Sequence, residues 1–210
     1  MKNKVLALAA AAAVSVSAAS AEEKRYQLSG FTSVSASAGT SVKVVVGGDY
    51  SVVATGDSRA LERLRIEVDG KELSIGRKPQ AGWNFKRTGP VEIRVTMPAL
   101  DGADVSSGAS LDVAGVDAGA LEVEASSGGS LDISGSCDAL TLEVSSGGSI
   151  DGDTLKCRTA VADASSGGSA DLYASDSLTA DASSGGSLSV SGSPKQVSKD
   201  TSSGGSVSVD

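Results

Sequence analysis

Residues 121–136 read LEVEASSGGSLDISGS, and residues 142–152 read LEVSSGGSIDG, nearly the same string again. The first serine of this Ser-Ser-Gly-Gly-Ser motif falls at Ser106, Ser126, Ser145, Ser165, Ser183 and Ser202, at intervals of 18 to 20 residues. The first copy reads SSGAS, with Ala109 in place of glycine. A fixed period of this length marks a stacked-repeat architecture.

The flanks of the motif define the secondary structure. Three residues before the first serine stand Ala103, Val123, Leu142, Ala162, Ala180 and, out of pattern, Lys199. Two before it every residue is acidic: Asp104, Glu124, Glu143, Asp163, Asp181 and Asp200. After the glycines, Leu111, Leu131, Ile150, Ala170, Leu188 and Val207 alternate with Asp112, Asp132, Asp151, Asp171, Ser189 and Ser208. Period-2 alternation is the pattern of strands with one buried face. Strands this short bury nothing alone, so each pairs in parallel with its equivalent one period later, about 4.8 Å away. The sequence therefore predicts an all-β, single-stranded parallel β-helix of about 19 residues per coil. Right-handedness follows from the preference of parallel crossovers.

The Gly-Gly pair suits a corner, since glycine takes unusual backbone angles and carries no Cβ to strike the adjacent coil. The second serines, Ser107, Ser127, Ser146, Ser166, Ser184 and Ser203, share parity with the inward positions. They are expected to form an internal hydroxyl ladder along the stack. The other reading is a solvated corner that favours small residues.

Charge and composition divide the chain. Lys2 and Lys4, the apolar run Val5 to Val16 and Ala19-Ser20-Ala21 form a signal-peptide pattern over residues 1–21. Residues 22–100 hold 12 Lys and Arg against 9 Asp and Glu, while residues 101–210 hold 4 against 17. So acidic a half argues against nucleic acid as partner. Residues 22–100 are read as a β-rich segment that starts or caps the solenoid, and 101–210 as its coils. Within the first segment, SVKVVVGGDYSVVATG suggests a hairpin around Gly47-Gly48, and RIEVDGKELSIGR one around Asp69-Gly70. SRALERL allows one or two helical turns capped by Ser58.

Candidate site residues are few. Cys137 and Cys157 lie 20 apart, at equivalent places in consecutive coils. Stacking brings their Cα atoms within disulfide range, and an exported chain meets oxidising conditions. Reduced thiols in turns are the alternative. The acidic column Asp104, Glu124, Glu143, Asp163, Asp181, Asp200 offers oxygen ligands to calcium. A charged face that keeps the sheet soluble is favoured, because no stretch matches a calcium-loop motif. No metal or cofactor is therefore expected. Trp83, Phe85, Lys86 and Arg87 sit between Pro79 and Pro90. They form the candidate loop for a protein or glycan partner, unless both rings fold onto the solenoid end.

These residues resemble a bacterial family, the putative autotransporter adhesin head domain or head GIN domain. The resemblance runs through FTSVSASAGTSVKVVVGGDYSVVATGD, LERLRIEVDGKELSIGR, VEIRVTMPALDGADVSSGASLDV and the serine-glycine repeats. It implies an exported β-helical protein and supplies no catalytic motif.

The chain has no histidine, which removes Ser-His and Cys-His chemistry. The glycines are not followed by Gly-Lys-Ser/Thr, so they form no P-loop. No coil is seen to break the repeat with basic or aromatic residues; a cluster of Asp, Lys and aromatics on one face would favour catalysis. The expected role is a non-catalytic structural or adhesin-like one in the cell envelope, with the protein periplasmic, surface-bound or secreted. The alternative is a carbohydrate-binding or polysaccharide-cleaving β-helix. Beyond the signal-like run, no stretch is long and apolar enough to span a membrane. The strand pattern at SVSVD suggests an exposed final coil that meets a partner, a second copy being one candidate.

Overall fold

The computed structural model describes residues 22–79 and 89–210. Fifteen strands and one short helix follow in order: β1 (Glu22–Tyr26), β2 (Ser33–Ala36), β3 (Ser41–Val46), β4 (Ser51–Gly56), α1 (Ser58–Glu62), β5 (Leu64–Asp69), β6 (Glu72–Arg77), β7 (Val91–Met97), β8 (Gly102–Val105), β9 (Ser110–Ala125), β10 (Ser130–Val144), β11 (Ser149–Ala164), β12 (Ser169–Ala182), β13 (Ser187–Ser191), β14 (Gln196–Thr201) and β15 (Ser206–Val209). All fifteen strands belong to one hydrogen-bonded sheet. The chain is a β-solenoid, as the period demands.

Strands β9, β10, β11 and β12 each wind through most of a coil and pair in parallel with the next. Equivalent motif positions stack: Ser110, Ser130, Ser149, Ser169, Ser187 and Ser206 lie in one register. So do Leu111, Leu131, Ile150, Ala170 and Leu188, all buried. Identical or similar side chains thus meet at the strand spacing and fill a narrow core without aromatic rings.

The stack does not begin at residue 101. Strand β2 pairs in parallel with β8, and β3 with β9, with Ala36 opposite Val105 and Ser41 opposite Ser110. The intervening Ser37-Ala38-Gly39-Thr40 is a diverged copy of the corner motif, with Ala38 and Gly39 both at positive φ. Val42 thus extends the Leu111 column, which runs on to Ile93 of β7, and Val34 extends the Ala103 column, which runs on to Leu73 of β6.

Below this first coil the sheet changes character. Strand β7 pairs in parallel with β3 and antiparallel with β4, and β1 lies antiparallel on the far side of β4. The expected hairpin around Gly47-Gly48 is therefore not formed: β7 inserts between β3 and β4, and both glycine N–H groups donate to the Met97 carbonyl. A pair of glycines there frees the chain to leave the sheet plane and return two strands away. The Asp69-Gly70 hairpin does form, with Asp69 opposite Glu72 and Gly70 at φ +59°. Helix α1 is capped by Asp57, not Ser58: its carboxylate accepts from the Ala60 N–H at 2.9 Å. The same side chain accepts from Gly89 N–H at 3.0 Å, a tie to the start of β7 that local sequence does not display. Phe31, fully buried, closes the core with Tyr50 at 4.8 Å between ring centroids.

Candidate functional site

The serine column is the first correction. Ser107, Ser127, Ser146, Ser166, Ser184 and Ser203 are exposed and sit in the left-handed region, φ +50° to +53°. The following glycine is left-handed too, as at Gly128 (φ +71°), and the turn closes with Gly129 N–H donating to the Ser126 carbonyl at 2.8 Å. Two consecutive positive φ values define a type I′ turn. That twist swings the second serine outward, which alternation alone could not reveal. Among the described residues no hydroxyl–hydroxyl bond links the column. What links the corners is backbone: Gly108 N–H donates to the Ser127 carbonyl, and Gly128 N–H to that of Ser146, each at 3.2 Å.

The two glycines have different duties. The first supplies positive φ in open space. The second is buried against the preceding coil: a Cβ on Gly129 would fall 2.6 Å from the Val105 carbonyl oxygen, and one on Gly168 would fall 2.8 Å from that of Val144.

The acidic residues form outward columns on either side of this corner. Asp104, Glu124, Glu143, Asp163 and Asp181 stack in register, as do Asp112, Asp132, Asp151 and Asp171. Partial burial, and then the charges of Asp104, Glu143 and Glu122, push the Glu124 carboxyl above the usual range. Burial followed by Asp151 and Asp112 does the same to Asp132. In the first coil neither column carries an acid: Ser35 and Lys43 stand in register with Asp104 and Asp112. The Ser35 hydroxyl donates to Asp104 at 2.7 Å. Among the described residues no group of three or more acidic or cysteine side chains has the arrangement of a metal site.

Cys137 and Cys157 are register partners in β10 and β11 and are joined by a disulfide, with Cα atoms 4.5 Å apart. Both face inward, in a column that continues as Ala118 on one side and Ala174 on the other.

Outside the disulfide lies a feature that inspection of the repeats missed. Lys156 and Tyr173 occupy one outward column, with the Lys156 ammonium 4.1 Å from the ring centroid. Beside them, Arg158 bridges Asp138 at 3.7 Å and Asp176 at 3.1 Å, and Lys195 reaches Asp176 at 3.0 Å. Hydrogen bonds from Lys195 and then Arg158 hold the Asp176 carboxyl below its ordinary range. Here the repeat is broken by basic and aromatic residues, contrary to the sequence reading. The signal was available: intervals of 20, 18 and 19 residues place Asp138, Arg158, Asp176 and Lys195 in adjacent coils. An ionised, doubly bonded Asp176 is suited to anchoring cations rather than to donating a proton.

The expected loop residues Trp83, Phe85, Lys86 and Arg87, and residues 1–21 with their expected signal peptide, lie outside the described residues. Among the described residues no helix is long and apolar enough to cross a membrane.

A disulfide-stapled β-solenoid whose N-terminal strands reverse direction beneath the first coil defines the class of protein. The family model described as "Putative auto-transporter adhesin, head GIN domain" matches residues 30–194, and the chain belongs to that family. Comparison with curated proteins finds no match. Among solved structures, the chain is similar to a putative adhesin from Bacteroides fragilis, with a TM-score of 0.73 at 18% identity, covering 92% of this chain and 98% of that one. A putative adhesin from Parabacteroides distasonis gives 0.60 at 16% identity over 90% and 97%. Another structure from that organism, a putative lipid binding protein, gives 0.51 at 19% over 91% and 97%. At these identities the likeness establishes the fold.

Proposed function

We propose that the protein is exported and acts at the cell envelope or surface as a rigid, non-catalytic adhesive element. The observation that carries this reading is the register kept at the serine-glycine corner from β2 and β3 through β13 and β15, with Cys137–Cys157 joining two of the coils. Such a stack fixes outward side chains in columns without relying on loops. The disulfide suits an oxidising compartment, and the signal-like residues 1–21 supply a route there. The names of the family and of two of the similar structures point the same way.

The test is fractionation followed by attachment. The full chain expressed in a bacterial host should leave the cytoplasm. Beads carrying the processed protein should adhere to cells or matrix glycans more than albumin-coated beads do. A cytoplasmic protein, or beads no more adhesive than albumin, would contradict the reading.

A further inference from the structure

We propose that Lys156, Arg158 and Tyr173 form a binding site for a carboxylated sugar residue, whose carboxylate is held by the two cations and whose ring rests against the outer edge of Tyr173, the ring that fixes Lys156. This rests on the adhesive reading above and names its ligand class.

Tyr173 is the sole aromatic residue of positions 101–210. It lies half-buried on the outer surface, at a position filled by Asp117, Ser136 and Ser191 in other coils. Stacking of coils needs no ring there. The ring is nevertheless built in. Lys156, 4.1 Å from its centroid, is itself anchored by donating to the Asp153 carbonyl at 2.6 Å. In the next coil stands Gly192, where a Cβ would fall 2.7 Å from the ring's Cε2. Glycine is what lets the ring lie against the stack. The result is an ammonium fixed over an aromatic ring, on a coil whose Cys157 is tied to the preceding coil by the disulfide.

Charge selects the ligand. Three of the four cations of residues 101–210 gather here: Lys156, Arg158 and Lys195. Against Asp138 and Asp176 they leave the patch with one excess positive charge, while the segment as a whole carries 17 acids. A long polyanion would be repelled by the flanking acidic columns. A single carboxylate on a sugar ring meets only the local cations. Ammonium and guanidinium groups bind carboxylates through charge-assisted hydrogen bonds, and the ring beneath Lys156 holds its ammonium in place. The surface is open, which fits one pendant or terminal residue of a glycan rather than an engulfed small molecule.

Calorimetric titration of the processed protein with the methyl glycoside of galacturonate, its neutral counterpart methyl galactoside and a galactose monosulfate tests the proposal. Galacturonate should bind at least about tenfold tighter than galactose, and Tyr173→Ala and Lys156→Gln should each weaken it about tenfold. Tyr173→Phe, which keeps the ring, should retain binding, as should Lys43→Gln on another surface. Denaturation midpoints confirm that each variant folds. The proposal is overturned if galacturonate does not bind, if Tyr173→Ala binds as well as the parent, or if the sulfated sugar binds equally and is insensitive to Tyr173. Beads carrying Tyr173→Ala that still adhere, with no galacturonate binding in the parent, would sink the sugar site and leave the adhesive role standing.

Discussion

The Cα of Gly148 lies so close to Ala125 in the preceding coil that a Cβ on it would stand 2.5 Å from the Ala125 carbonyl oxygen. Its neighbour Gly147 has open space around it but a φ of +72°. One glycine is required by packing and the other by backbone angle, and alanine substitutions separate them. Gly147→Ala meets only the left-handed penalty of about 1–2 kcal/mol. Gly148→Ala forces two stacked backbones apart, an overpacking cost of about 1–3 kcal/mol or more. Denaturant midpoints should therefore fall for both and further for Gly148→Ala. Equal losses would contradict the division of labour.

The disulfide closes a loop of 20 residues. Chain-entropy arguments put its stabilisation at about 3 kcal/mol. The double variant Cys137→Ala/Cys157→Ala should lose about that much, because alanine already occupies the same inward column at Ala118 and Ala174. A loss measured by urea unfolding that is below about 0.5 kcal/mol would mean that the stack, not the bridge, sets the stability of these coils.

The raised carboxyls of the acidic columns should favour the folded state in mild acid over neutrality. Glu124 and Asp132 have raised carboxyl ranges in the folded state, through burial first and neighbouring acids second. A raised folded value means that the folded protein binds more protons, so stability is highest below the unfolded value and declines as pH rises through the folded one. Glu124→Gln and Asp132→Asn should each raise the midpoint at pH 7, by about 0.2–1 kcal/mol for each like-charge contact removed, and should flatten the slope between pH 4 and 7. Asp176 runs the other way: its lowered range means stability present at neutrality and lost as pH falls through it. Midpoints that climb steadily from pH 4 to 7 would show that carboxylates of the Asp176 kind dominate.

Leu142 tests the core column, since it stacks between Val123 and Ala162 and is almost fully buried. Leu142→Ala should cost about 2–5 kcal/mol. Thermal unfolding that shifts only slightly would indicate coils able to collapse onto the vacancy.

The repeat was legible because its chemistry is redundant: the inward Leu111 column and the acids of the Asp104 column each recur six times, and the inward Ala103 column five times before Lys199 breaks it. Three things were not. The segment 37–41 carries the turn geometry of the motif with its second serine and second glycine replaced by Ala38 and Thr40, so the first coil was hidden in the N-terminal segment. The outward swing of Ser127 and its equivalents depends on two successive left-handed residues, and period-2 counting fails across such a turn. The insertion of β7 between β3 and β4 is a long-range pairing with no local signature. The cluster around Asp176 was within reach of the repeat alignment, but its residues lie at the second corner. The register there shifts between Asp132 and Gly135, between Gly152 and Lys156, and between Cys157 and Thr159.

The most direct test of an exported, register-locked solenoid is non-reducing peptide mapping of the protein recovered from the envelope of its own cells. Tryptic digestion after denaturation should leave Cys157-Arg158 covalently joined to the peptide that contains Cys137, with no thiol available for alkylation. Two alkylated, unlinked cysteines would contradict the account.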